Sequence, residues 1–228
     1  MSNDALWFFP QGIFTGGIIM NRKEVYKETL ANTIIKNLET RNMEGYYVKT
    51  AEEAREKVLS LMEDGSSVSW GGSCTLVDAG IIDAVYESGK YKIVDRDKAD
   101  DRIQAMHEAL SCDNFLMSTN AITFDGQLVN IDGMGNRLAA LIFGPKNVIV
   151  VAGMNKCSAD LDSAMKRARN KAAVTNAIRF GTATPCTKTG HCHDCKSPET
   201  VCCQFVTTRY SKIKNRIKVV LVGEDFGY

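Results

Sequence analysis

The sequence predicts an α/β protein: an open, mostly parallel sheet flanked by helices, with an inserted β-hairpin and a cysteine-rich loop. Three patterns predict it. Short apolar runs alternate with stretches of helical periodicity, as in successive strand–helix units. The run VIVVA at 148–152 is apolar at every position, the mark of a strand buried on both faces. Two β-rich arms over 122–131 meet at Asp125-Gly126, a strong hairpin signal.

The elements follow in order. Tyr26, Leu30, Ile34 and Leu38 recur at four-residue steps and predict a helix over 21–43. Thr50 and Glu53 form a capping-box pair that opens a second helix. Ala54, Val58, Leu61 and Met62 are its buried stripe, and Gly65 ends it. A strand at 67–70 runs into Gly71-Gly72-Ser73. Beyond it are expected a helix over 75–87, a strand at 91–94, a charged helix over 96–110 and a strand at 114–118. The hairpin comes next, then a short helix at 138–141, the buried strand, a long helix over 158–178 and a closing strand at 217–222. The basic run at 211–218 reads as the solvated face of an edge strand.

Composition bounds the function. Hydrophobic residues make up 44% and charged residues 24% of 228, enough to bury a proper core in one α/β domain, placed here at 20–228. A net charge of +1 gives no field to favour nucleic acid or an anionic membrane as partner. Residues 1–19 are apolar but broken by Pro10, Gly12, Gly16 and Gly17, and no Lys or Arg precedes the run. They read as an extension outside the domain, neither a signal peptide nor a spanning helix. A cytoplasmic, reducing location is the expectation.

Five of the eight cysteines lie between Pro185 and Cys203, spaced C-x5-C-x2-C-x6-C-C. In a reducing compartment such density points to a metal or iron–sulfur site rather than disulfides. Neither the two-pair spacing of zinc ribbons nor the C-x2-C-x2-C run of ferredoxins is present. The irregular spacing across a loop suits a [4Fe–4S] cluster, with zinc as the alternative. Cys186, Cys192, Cys195 and Cys202 are the expected ligands, and Cys203 is the spare because adjacent side chains diverge. A bound metal would clamp residues 182–203, a length uncommon for a loop without function. His191 and His193 flank Cys192 as spare ligands or donors to the thiolates.

Open α/β sheets bind ligands beyond the carboxyl ends of their strands, where three loops fall. In the first, Gly71 and Gly72 allow close backbone approach and Ser73 and Thr75 offer hydroxyls at a helix start. It is either an anion site or a tight turn. Cys74 in the same loop reads as a small buried residue. The second loop holds Asp132, Gly133, Gly135, Asn136 and Arg137; the arginine either grips a carboxylate or phosphate or braces the loop against Asp132. The third places Asn155 and Lys156 just after the buried strand, with Lys156 as a counter-charge.

These segments in this order resemble the LUD-domain family of lactate-utilisation proteins, in the branch with a cysteine-rich carboxyl end. The resemblance is carried by Gly71-Gly-Ser-Cys-Thr75, Thr119-Asn120-Ala121, Asp125-Gly126, Asn130-Ile-Asp132-Gly-Met-Gly135-Asn-Arg137, Gly144-Pro145, Asn155-Lys156 and the cysteine loop. It implies a sheet like those of ribose-phosphate isomerase and the CoA transferases, with the first glycine loop holding a substrate's anionic end and Asn120 at the same edge. It also implies work beside iron–sulfur or flavin partner proteins in a lactate-oxidising system, on a small anionic metabolite, and a possible homo-oligomer. No flavin or nicotinamide fingerprint is present, so oxidation would need another subunit. The alternative is a stand-alone isomerase- or transferase-like enzyme on a phosphorylated or acyl metabolite, its loop stapled by zinc; a third reading is a non-catalytic binding subunit.

Overall fold

The computed structural model describes residues 21–228; the extension expected at 1–19 lies outside them. The apolar run at 148–152 forms the heart of a six-stranded, wholly parallel sheet. Its strands are β1 (Glu44–Val48), β2 (Ser67–Trp70), β3 (Lys92–Val94), β4 (Asn114–Met117), β7 (Asn147–Gly153) and β10 (Ile217–Val222), in spatial order β1-β10-β7-β4-β2-β3. Alternate residues of β7 and β10 feed two separate cores. Val148, Val150, Val219 and Leu221 pack beneath α1 (Arg22–Glu39) with Ile34 and Leu38. Ile149, Val151, Val220 and Val222 face α2 (Ala51–Ser60) and α4 (Ile81–Ser88). Burial on both faces explains why these strands carry no polar alternation.

The hairpin is present as β5 (Ala121–Thr123) and β6 (Leu128–Asp132), paired antiparallel. It belongs to a second sheet rather than to the main one. β8 (Cys157–Ser158) pairs with β5 and β9 (Gln204–Thr208) pairs with β6, giving the order β8-β5-β6-β9.

Several expected elements are adjusted. The helix at 75–87 is two, α3 (Cys74–Asp78) and α4, because Gly80 takes a left-handed φ of 67° between them. The charged helix contracts to α5 (Arg102–Glu108), opened by Asp101, whose side chain accepts the Gln104 amide at 2.9 Å. The helix expected from 158 starts later, as α7 (Leu161–Arg167), at a capping box between Asp160 and Ser163. It continues through a π-helical turn, Ala168–Ala172, into α8 (Ala173–Arg179). The basic run at 211–218 is a turn that enters β10, and β10 is an interior strand, not an edge. Tyr26 at the start of α1 is 62% exposed, so the helix's buried stripe begins later, with Ala31.

Arg216, at the end of that turn, is buried and unpaired with any carboxylate among the described residues. It donates to the carbonyls of Pro145 (2.9 Å), Leu141 (2.7 Å) and Ala140 (2.7 Å), terminating α6 (Asn136–Ile142). Those carbonyls would otherwise lack partners at a helix end. Arg216→Ala is therefore expected to destabilise the fold by on the order of 3 kcal/mol, read as a lowered denaturation midpoint with unchanged slope.

Candidate functional site

The carboxyl ends of β2, β4 and β7, three neighbours in the sheet, open onto one cavity of about 710 Å³. The β6–α6 turn supplies a further wall. All three candidate loops thus meet: Gly72, Ser73, Thr75, Asn120, Asp132, Gly133, Asn136, Arg137 and Lys156 line the cavity. Gly71, Gly135 and Asn155 do not. Gly71 sits behind, against the Arg137 stem; Gly135 opens α6 with φ 88°; Asn155 faces a separate open groove beside α1.

In the first loop the hydroxyls already have work. Ser73 caps α3, accepting the Leu76 amide at 3.3 Å, and Thr75 is buried against Lys156. Arg96 approaches the Gly72 backbone so closely that a Cβ there would lie 2.5 Å from its Nη2. That arginine, 14% exposed, lays its guanidinium across the loop into the cavity, with a buried Nε that lacks a hydrogen-bond acceptor. The charge on Asp97 is 3.8 Å away, too far for one.

In the second loop the bracing reading holds. Arg137 Nε stands 3.8 Å from Asp132 Oδ2, and the rest of its fork donates to Asn130 Oδ1 (2.6 Å), Ile131 O (2.8 Å), Ser118 O (3.2 Å) and Asn120 Oδ1 (3.4 Å). Asn120 in turn accepts the Ile131 amide at 2.8 Å. One guanidinium therefore ties the end of β4 to the end of β6.

Lys156 is not the solvated loop lysine its position suggests. It ends the 3₁₀ turn after β7, is 4% exposed, and donates to Thr75 Oγ1 at 2.7 Å and Ser118 Oγ at 3.0 Å. Burial, then the nearby charges of Arg167 and Arg137, push its pKa down to about 7. Between pH about 7 and 10.5 the unfolded chain holds a proton that the folded one does not, so this group makes stability rise with pH there. A non-titrating Lys156→Met variant should melt above the wild type near pH 7, and the gap should narrow toward pH 10.5; thermal melts across that range check it.

Cys74, read from sequence as a buried small residue, is half-buried at the cavity wall. Arg179 donates to its sulfur at 2.9 Å, and Tyr228 lies 3.6 Å from it while donating to Asn176 Oδ1 at 2.9 Å. Arg96, Arg179 and Tyr228 are cavity residues that sequence reasoning missed. They come from a strand-to-helix connection, a helix end and the carboxyl tail, none of which carries a local motif.

The four expected ligand cysteines, Cys186, Cys192, Cys195 and Cys202, line a second, smaller cavity of about 50 Å³. Polar groups surround the sulfurs. Thr184 Oγ1 is 3.2 Å from Cys186, while the Asp194 amide (3.4 Å) and Arg169 Nη2 (3.6 Å) donate to Cys192. Arg169 projects from the π-helical turn, a distortion often found at functional sites. Burial, then the charges of Cys192, Cys186 and Cys195, push the Cys202 thiol up to about 11. Among the described residues no three His, Cys, Asp or Glu side chains converge closely enough to hold a single metal ion. His193 lines the same cavity, but its ring contacts Thr189 Oγ1 at 2.7 Å and stacks on exposed His191.

Adjacent Cys202 and Cys203 do diverge: the first faces the thiol cavity and the second the large one. Thr200 and Val201 line both, so one short segment separates the two cavities. Residues 182–203 are not wholly irregular, since α9 (Pro185–Thr189) forms a helical turn inside them.

The parallel α/β sheet, flanked by helices, is of the doubly wound class, with a cavity at its strand ends and a thiol-lined pocket beside it. The chain belongs to the LUD-domain family, whose model matches residues 31–222. In structure it is similar to a DUF162 family protein from Deinococcus radiodurans, with a TM-score of 0.52 and 12% identity over 86% of this chain and 98% of that one. At that identity the likeness speaks to fold alone. A looser similarity, TM-score 0.31 and 16% identity over 62% of this chain and 57% of the other, links it to eIF2B delta from Chaetomium thermophilum and carries no argument. No curated protein matches it in sequence. Among the described residues no helix is long and apolar enough to cross a membrane.

Proposed function

We propose that this LUD-domain protein serves the oxidation or utilisation of lactate or a related small hydroxy acid. It binds a small anion in the large cavity and carries an iron–sulfur cluster, [4Fe–4S], on Cys186, Cys192, Cys195 and Cys202, in electronic contact with a partner protein. The observation that supports this best is the gathering of those four thiols around one cavity, separated from the cationic cavity only by the segment bearing Thr200 and Val201.

The donor set suits the group. Four soft sulfurs with no carboxylate among them favour iron–sulfur chemistry or zinc. A single zinc would need its sulfurs at about 2.3 Å from one centre. Either group would draw on the same four sulfurs, which line one cavity. An iron–sulfur cluster, when bound, supplies one-electron transfer. The chain's own part is to present the sulfurs, to stabilise their negative charge through Arg169, Thr184 and the Asp194 amide, and to limit solvent access. Around the large cavity Arg96, Arg137, Lys156 and Arg179 outnumber the lone carboxylate Asp132, which is already engaged by Arg137. A small carboxylate is the ligand such a charge balance attracts.

Anaerobic purification followed by iron and sulfide analysis and a visible spectrum tests the reading. About four iron and four sulfide per chain with a broad brown absorbance are expected. One zinc per chain, or a colourless and fully folded metal-free protein, would refute the electron-transfer role.

A further inference from the structure

Lys156 is the only lysine among the described residues that lines the large cavity, and it has no carboxylate within ion-pair distance. The charged groups facing it are Arg167 from α7, Arg137 from α6, and Cys74 and Asp78 from α3. Neither carboxylate nor thiol compensates it: Asp78 accepts the Gly227 amide at 3.1 Å, and Cys74 is engaged by Arg179. Arg167 is itself turned away, donating to the carbonyls of Asn155 and Asn120. The carboxyl tail seals one side, since a Cβ on Gly227 would stand 2.6 Å from Thr75 Oγ1 and 3.3 Å from Lys156 Nζ. The amine is thus fixed by two hydroxyls, shielded from water behind, and open toward the cavity. A buried ammonium without an anion is costly, so the neutral form with its lone pair is favoured. Amines desolvated beside other cations are the ones that attack carbonyls.

We propose that Lys156 is a nucleophile that condenses with the carbonyl carbon of a small 2-oxo acid held in the large cavity. The inference rests on the reading of that cavity as a site for small hydroxy acids, whose oxidised forms are 2-oxo acids. The nitrogen lone pair forms the N–C bond while the carbonyl π pair moves to oxygen, giving a carbinolamine. Both amine protons and that oxygen then depart as water, leaving an imine; no oxidant or reductant is consumed. Thr75 and Ser118, the hydroxyls in contact with Nζ, are placed to pass those protons. Arg96 and Arg179 are the cavity cations placed to receive the carboxylate, Arg96 through the guanidinium it lays into the cavity and Arg179 through the donors it does not give to Cys74.

The full-length protein is mixed with pyruvate, treated with sodium borohydride to reduce any imine to a stable secondary amine, and analysed by intact mass and peptide mapping. Pyruvate binding is measured in parallel by calorimetry. One carboxyethyl adduct per chain, on the peptide bearing Lys156, is expected. Its rate should fall about tenfold per pH unit below about 7, as the amine takes up a proton. Lys156→Met, which removes the amine without burying a charge, should lose the adduct while keeping the wild-type circular dichroism spectrum. Arg96→Gln should still label but need several-fold more pyruvate. Pyruvate binding without an adduct at Lys156 overturns the nucleophile and leaves the hydroxy-acid reading standing. Absence of both binding and adduct overturns the two together. An adduct undiminished in Lys156→Met also overturns the proposal, since it would then sit elsewhere.

Discussion

Cys202→Ser is expected to cut bound iron by about tenfold or more, whereas Cys203→Ser should leave it near the wild-type level. The contrast is sharp because the residues are neighbours in sequence and differ only in the cavity they face. Cys202 is half-buried among three other thiols, and Cys203 is exposed toward the ligand cavity. A serine alkoxide is a far poorer ligand for iron than a thiolate, so one substitution among the four should suffice. Loss of the centre should also loosen the loop. Apart from α9 and its cap, residues 182–203 have few backbone hydrogen bonds of their own, the tightest being the Thr200 amide to Ser197 O at 3.0 Å. Limited trypsinolysis at exposed Lys188 and Lys196 should therefore quicken in Cys202→Ser and stay slow in Cys203→Ser. Iron analysis and the cleavage time course read both effects from the same preparations.

Arg137→Ala is expected to be the most damaging single change near the large cavity, costing on the order of 3–5 kcal/mol. The guanidinium is 12% exposed, and its loss strands Asn130 Oδ1 and the Ile131 carbonyl and removes the counter-charge of Asp132. Asn130 is fully buried, so water cannot replace the lost donor without opening the structure. Arg137→Lys should not restore stability. A single ammonium cannot span acceptors on β4 and β6 that the planar fork reaches at once. Chemical denaturation of the two variants should place lysine much nearer alanine than wild type. Small-anion affinity should fall in both, because the loop bearing Asp132 and Asn136 loses its anchor to the Ser118 end of β4.

The central sheet was legible because burial on both faces leaves a continuous apolar run, as at 148–152 and 219–222. β1 escaped notice because Glu44, Gly45 and two tyrosines carry no such run; it is an edge strand with four half-buried positions out of five. β9 escaped because it starts directly after the cysteines and shows no clean alternation. The hairpin was visible from Asp125-Gly126, yet its membership in a second sheet depends on partners far along the chain. The same division holds at the site. Residues that directly follow a strand, such as Gly72, Asn120 and Lys156, could be placed by the rule that ligands gather at strand ends. Arg179 reaches Cys74 across 105 positions of sequence, and no spacing rule encodes that. The burial of Lys156 was also hidden, because the neighbours that enclose it, Thr75, Ser118 and the carboxyl tail at Gly227, lie far from it in sequence.

Electron paramagnetic resonance of the dithionite-reduced protein, recorded with and without saturating pyruvate, probes the thiol-held centre and its neighbouring ligand cavity in one experiment. A reduced-cluster signal that changes shape when the ligand binds, and that vanishes in Cys202→Ser, is the predicted result. A protein that binds pyruvate yet gives no cluster signal, or gives one indifferent to the ligand, would contradict it.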